Sequence, residues 1–247
     1  MSELADSRPA RALAFAMRVH AGQTRKGTDI PYISHVLGVA ALVLEGGGDD
    51  DALIAALLHD TVEDGGDPTA VRATIRDEFG PEVLAIVNAL SDAAPEAGEE
   101  KGPWPERKYH YVEHLRASDD PRIHLVCVAD KLHNLTATLA DLKAHGPKTW
   151  DKFNAPVANQ WWYYDALGAV FAEGPIAGNP LQVRYAQAVV ELDELTALPG
   201  IDKTMARLEA HPRFHPAEPA DEDEITVTFL SADAAARAKA AQVRAES

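Results

Sequence analysis

The chain carries one cysteine, Cys127, in 247 residues. That excludes a disulfide framework and any zinc site built on several thiolates. Cys127 lies in an apolar run and reads as a small buried hydrophobe. β-branched runs are scarce, whereas Ala and Leu abound, so the expected fold class is all-α. No apolar stretch approaches the length of a membrane span, and none near the start has the form of a signal peptide. A cytoplasmic protein is the expectation. Basic residues are also few. The 23 Lys and Arg stand against 39 Asp and Glu, for a formal net charge of −16. So acidic a chain is a poor general partner for nucleic acid or an anionic membrane. A small anionic ligand would need a local basic pocket.

The chain is 46% hydrophobic, enough for one sizeable core. Residues 1–200 read as one helical domain and 201–247 as an extension. Apolar periodicity and caps predict helices over about 8–21, 35–45, 50–60, 68–79, 81–91, 104–117, 121–142 and 180–198, and one through the aromatic run that ends near Phe171. In the first, Ala12, Leu13, Phe15, Ala16 and Val19 face inward; in the last, Leu192 and Leu195 do. Ser34 is a candidate N-cap. Residues 92–103 read as a surface loop. Beyond Ile201 the character changes. A Pro- and acid-rich linker, His211 to Glu224, leads to Ile225–Leu230, which alternates like a strand, and then to an Ala-rich helix over 232–245. One strand and one helix bury little alone. The extension is expected to dock on the body or on another copy in a homo-oligomer.

The densest chemistry lies where the apolar run Ala52–Leu58 meets His59-Asp60-Thr61-Val62-Glu63-Asp64. Ionisable groups at the end of a buried segment are costly unless something binds them. Imidazole and carboxylate together suit Mn, Fe, Zn or Co, and Mg less well. A solvated acidic turn is the competing reading. His35 falls in the first turn of another predicted helix. Asp130 interrupts the apolar run Leu125–Leu132 of a third, where an ion pair would also explain it. Two imidazoles and two carboxylates would leave open positions for water and substrate, a catalytic rather than a closed structural arrangement. Arg25 and Lys26 form a small basic patch in a polar turn, or else two solvated loop cations. Glu106-Arg107-Lys108 is a charged helix face whose two cations are also candidates for an anionic ligand. His20 reads as a helix C-terminal histidine or a group supporting the site. The aromatic run Trp161-Trp162-Tyr163-Tyr164 reads as packing surface, with a binding box as the alternative.

The order His35, His59-Asp60, Asp130 resembles the H…HD…D pattern of the HD-domain phosphohydrolases. Four longer strings are similar to the hydrolase half of the RelA/SpoT alarmone enzymes and to the free-standing small alarmone hydrolases, the metazoan SpoT homologue among them. They are His20-Ala21-Gly22-Gln23-Thr24-Arg25-Lys26-Gly27, Pro31-Tyr32-Ile33-Ser34-His35, Ala56–Asp64 and Ala129-Asp130-Lys131-Leu132-His133-Asn134. The resemblance spans roughly residues 8–195 and implies an HD-domain helical bundle. It implies one Mn²⁺ held by His35, His59, Asp60 and Asp130. It makes Glu63 and Asp64 the pair that activates the attacking water. Arg25 would pack on the base, Lys26 would face the nucleotide, and Asn134 would lie near the ribose with Lys131 beside it. The implied reaction removes the 3′-pyrophosphate of guanosine tetra- or pentaphosphate. A metal-dependent phosphatase for another nucleotide (NADPH at its 2′-phosphate, or an adenosine alarmone) is the alternative within enzymes. A non-catalytic nucleotide-binding regulator is the alternative outside them. A nucleotide polyphosphate also requires a positive rim, expected from Arg25, Lys26 and Lys131.

Overall fold

The computed structural model describes residues 6–91 and 102–196. Most of the expected loop over 92–103 and the whole 201–247 extension lie outside the described residues. The described chain is helical: α1 (Arg8–Val19), α2 (Ile33–Glu45), α3 (Asp50–Leu58), α4 (Thr61–Asp64), α5 (Pro68–Phe79), α6 (Pro81–Leu90), α7 (Trp104–Arg116), α8 (Pro121–His145), α9 (Val157–Glu173) and α10 (Pro180–Leu195). A 3₁₀ segment, Gly146–Lys152, joins α8 to α9. No strand occurs among the described residues, only an isolated bridge between Thr24 and Pro31. The all-α reading therefore holds for them.

Half of these helices begin where short polar side chains can take orphan amides. Asp49 accepts from Ala52 N at 2.8 Å, Asp67 from Thr69 N, Asp120 from Arg122 N and Asn179 from Leu181 N. Pro68, Pro121 and Pro180 follow three of these caps, where a missing N–H costs nothing. Two expectations are corrected. α2 starts at Ile33, with Tyr32 rather than Ser34 at its cap and no side-chain capping bond. The chain turns two residues early, after Pro31, whose carbonyl takes Ser34 N at 3.0 Å. At the other end of the core, α10 buries Leu192 but leaves Leu195, its last residue, exposed.

α8 is the axis of the molecule. From His124 to Ala129 every residue is buried, as are Asp130 and Leu132, so this stretch meets protein on all sides. α2, α3, α6, α9 and α10 pack around it. It continues to His145, a turn past the expected end, until Gly146 takes a left-handed φ of 62°. The run Trp161–Tyr164 on α9 is buried throughout, as packing surface requires.

Candidate functional site

The third helix does not run through His59 and Asp60 as expected. α3 stops at Leu58, because side chains take the carbonyls that a continuing helix would use. His59 Nδ1 donates to Ala56 O at 2.8 Å, and the Thr61 hydroxyl donates to Leu58 O at 2.6 Å. His59 thus becomes the end of α3 and Asp60 the start of the one-turn α4. That break turns both side chains toward α2 and α8. His35 arrives from the first turn of α2 and Asp130 from the middle of α8.

The four groups meet. His35 Nε2 lies 3.2 Å from Asp130 Oδ1 and 3.7 Å from Asp60 Oδ2. His59 Nε2 lies 2.9 Å from Asp60 Oδ2 and 3.8 Å from Asp130 Oδ1. One donor atom each from His35, His59 and Asp130 fall within 4.8 Å of one another. Bonds of about 2.1 Å to a shared cation would hold neighbouring donors about 3.0–3.4 Å apart, close to the spacing found. The chemistry fits as well. His59 Nε2 is buried, and despite its nearness to Asp60 it closes no hydrogen bond. A buried imidazole nitrogen set among carboxylates is what a divalent cation satisfies. The HD-type cluster of two histidines and an aspartate is therefore arranged to hold one.

The electrostatics show the same unmet demand. Burial works against a charged His59, but the Asp60 and Asp130 carboxylates outweigh it and raise the group to about 9. Burial would raise both carboxylates, yet His59 holds Asp60 below the usual range, and Lys131 and His35 do the same for Asp130. Positive charge is favoured here.

Around the cluster the remaining candidates divide. Asn134 donates to Asp130 Oδ1 at 2.7 Å and accepts from Arg25 at 3.0 Å, linking the basic turn to α8. Lys131 pairs with Asp130 at 2.7 Å and lies over the Tyr111 and Tyr163 rings. The ion pair weighed for Asp130 and its place in the cluster are thus both present. Lys26 donates to Asn154 at 3.0 Å. The amides of Glu63 and Asp64 both donate to Asp60 O, and Asp64 Oδ2 lies 3.6 Å from His20 Nδ1.

Beside the cluster opens a cavity of about 270 Å³. Tyr32, Lys131 and Asn134, which each touch a cluster carboxylate, form its inner wall. Among the described residues Arg25, Lys26, Lys108, Lys131 and Lys152 line it and no carboxylate does, although Lys131 pairs with Asp130 and Lys152 with Asp141 behind the wall. The positive rim expected of Arg25, Lys26 and Lys131 exists in a chain of charge −16, with two further lysines. The pair Arg107 and Lys108 separates: Lys108 lines the cavity, whereas Arg107 donates to Gly102 O at 3.0 Å. Trp104, Tyr163 and Tyr164 supply aromatic walls, so part of the aromatic run lines this cavity as well as packing.

Three contributors escaped the sequence reading. The Tyr32 hydroxyl donates to Asp60 Oδ2. Lys152 comes from a 3₁₀ segment that no periodicity announces. His133 Nδ1 lies 3.0 Å from His35 Nδ1. The last had a signal: His133 and Asn134 stand three and four residues beyond Asp130, hence on its face of the helix.

Comparison with known proteins agrees with this geometry. The HD domain family profile matches residues 12–156. The chain is 38% identical over 130 residues to GTP pyrophosphokinase rsh of Brucella ovis, covering 51% of this chain but 16% of that protein. It is 37% identical over 153 residues to guanosine-3′,5′-bis(diphosphate) 3′-pyrophosphohydrolase MESH1 of Xenopus tropicalis, covering 61% of this chain and 78% of that one. A solved structure described as a metazoan ortholog of SpoT that hydrolyzes ppGpp superposes with a TM-score of 0.56 at 26% identity. It covers 75% of this chain and 96% of the other. The chain thus spans a small part of the long bacterial relative and most of the short one. No helix among the described residues is long and apolar enough to cross a membrane.

Proposed function

The chain belongs to the HD-domain family, and from that membership we propose that it is a metal-dependent pyrophosphohydrolase. It removes the 3′-pyrophosphate of guanosine tetra- or pentaphosphate and yields GDP or GTP with pyrophosphate. The observation that carries this reading is the cavity: among the described residues five cations and no carboxylate line it, and Tyr32, Lys131 and Asn134 join its wall to the carboxylates of the cluster. A polyanion is drawn into such a pocket, and little else in an acidic protein would need one. Bacterial and animal relatives named for guanosine polyphosphate chemistry point to the same substrate.

His35, His59, Asp60 and Asp130 hold the cation, which we assign as Mn²⁺ because imidazole and carboxylate share the site. When bound, it lowers the pKa of a water and neutralises charge on a phosphoryl oxygen. Glu63 and Asp64 would orient the attacking water and one of them would take its proton, with Asp64 braced by His20. Tyr32 holds Asp60 in place. Arg25 offers its planar face to the base and is kept in position by Asn134. Lys26, Lys108, Lys131 and Lys152 meet the phosphates, and Trp104 and Tyr163 wall the cavity on the α7 and α9 side. The enzyme works on a small molecule in the cytoplasm.

The test is product analysis. Purified full-length protein is incubated with guanosine tetraphosphate and Mn²⁺, then with EDTA, and products are resolved by anion exchange. GDP and pyrophosphate that disappear in EDTA support the reading. No turnover by protein shown to bind Mn²⁺ overturns the substrate. Activity on NADPH or adenosine nucleotides instead would assign the site to another nucleotide, since stacking on Arg25 tolerates several bases.

A further inference from the structure

Gly38 sits inside α2, where glycine costs about 1 kcal/mol relative to alanine and serves no cap or turn. A Cβ there would lie 2.3 Å from Nε2 and 2.4 Å from Cδ2 of His133. α2 therefore lacks a side chain at the point where α8 inserts an imidazole. Gly38 follows His35 by three residues, and His133 follows Asp130 by three, so one face of each helix carries a cluster residue and then this contact. The imidazole filling the space reaches the cluster directly. His133 Nδ1 is 3.0 Å from His35 Nδ1, with ring centroids 4.9 Å apart.

Two nitrogens at that distance share one proton, and the neighbours decide where it sits. The Arg25 guanidinium, which can only donate, approaches the same His133 Nδ1 at 3.5 Å. That nitrogen therefore presents a lone pair, and the proton between the rings belongs to His35 Nδ1. With Nδ1 protonated, the neutral imidazole of His35 has its lone pair on Nε2, which faces Asp130 and Asp60.

We propose that His133 is a positioning residue that holds His35 by accepting its Nδ1–H, keeping Nε2 free to bind the cation, and that Gly38 exists to admit it. Outer partners of metal-binding histidines are usually carboxylates or carbonyls; here the partner is a second, neutral imidazole. This arrangement orients His35 without adding negative charge to a cluster that already holds two carboxylates. It also joins Arg25, through His133, to the cation site. The assignment rests on the metal reading above.

The test compares two variants of similar size and shape in the full chain, His133→Gln and His133→Met. Only the first keeps an acceptor. Mn²⁺ affinity is measured by competition with a fluorescent chelator, and melting is followed in EDTA. The methionine variant is expected to bind Mn²⁺ about 10–100-fold more weakly, the usual effect of losing such an outer partner, with the glutamine variant close to wild type. Gly38→Ala, which displaces the ring but removes no polar group, is expected to weaken Mn²⁺ binding in the same direction. Equal affinities for the methionine, glutamine and wild-type proteins would overturn the assignment, as would melting losses in EDTA with no change in affinity. A wild-type chain that binds no divalent cation would overturn the metal reading itself, a result separable from the others.

Discussion

Replacing Asp130 with Asn removes one buried charge and leaves the side chain's shape. In the native chain this carboxylate accepts from Lys131 at 2.7 Å and Asn134 at 2.7 Å, and faces His35 at 3.2 Å. The side chains of Lys131 and Asp130 are 18% and 11% exposed, so water cannot replace what is lost. Removing one partner of a buried pair costs about 3–5 kcal/mol. The lysine retains the Tyr111 and Tyr163 faces at 5.6 and 5.9 Å, worth roughly 0.5–2 kcal/mol together. Relief of repulsion with Asp60 acts in the same sense. The net loss in EDTA is about 2–4 kcal/mol, or roughly 4–15 °C in Tm for a domain of this size. Saturating Mn²⁺ should widen the difference. The wild type gains about 2.7 kcal/mol at a hundredfold excess over Kd, whereas the variant lacks one of its proposed ligands. Calorimetric melting of both proteins, with EDTA and with Mn²⁺, reads each quantity. A variant that melts with the wild type in EDTA, or that metal stabilises as strongly, would refute the reasoning.

Glu63→Gln and Asp64→Asn should each lower kcat about 10²–10⁴-fold while Mn²⁺ and nucleotide still bind; single-turnover kinetics beside equilibrium titration would show whether chemistry alone is lost. Lys108→Ala should raise KM for a nucleotide polyphosphate, since Lys108 lines the cavity, and Arg107→Ala should leave it nearly unchanged, since Arg107 is turned to Gly102 O. Equal effects in steady-state assays would count against that division. Stability of the metal-free protein should depend on pH through His59. Its folded-state value, about 9, lies above its unfolded one of about 6.5, so its contribution is complete below that lower pH and is lost as pH rises toward the upper. Asp60 and Asp130, held low in the fold, lose theirs instead as acid protonates them. Urea unfolding in EDTA at a series of pH values should show the alkaline decline, and a flat profile there would contradict it.

The helical periods, the polar caps and the proline-led starts at Pro68, Pro121 and Pro180 were legible because they depend on residues within a turn or two of each other. The same locality made the break after Leu58 hard to see. Ala52–Leu58 continues smoothly into His59 by pattern, and only the competition of two side chains for the Ala56 and Leu58 carbonyls ends the helix there. His35, His59, Asp60 and Asp130 could each be picked out as polar groups set in apolar sequence. Their convergence could not, because it depends on how α2 and the end of α3 lie against α8. The extension beyond residue 200 lies outside the described residues.

Composition and local pattern were enough for a helical chain with a costly set of imidazoles and carboxylates, since an unpaired buried charge needs no tertiary structure to look expensive. Long-range packing decided the rest. Five cations, widely spaced in a chain of charge −16, gather around one cavity only because the turn before α2, α7, α8 and the 3₁₀ segment meet there. Net charge is a sum over the chain, whereas the potential in a pocket depends on distance, and distance is what folding sets. His133 shows the same division at atomic scale. Its meaning depends on a missing Cβ at Gly38 and a nitrogen of His35, both on another helix, which contact brings together and sequence order keeps apart.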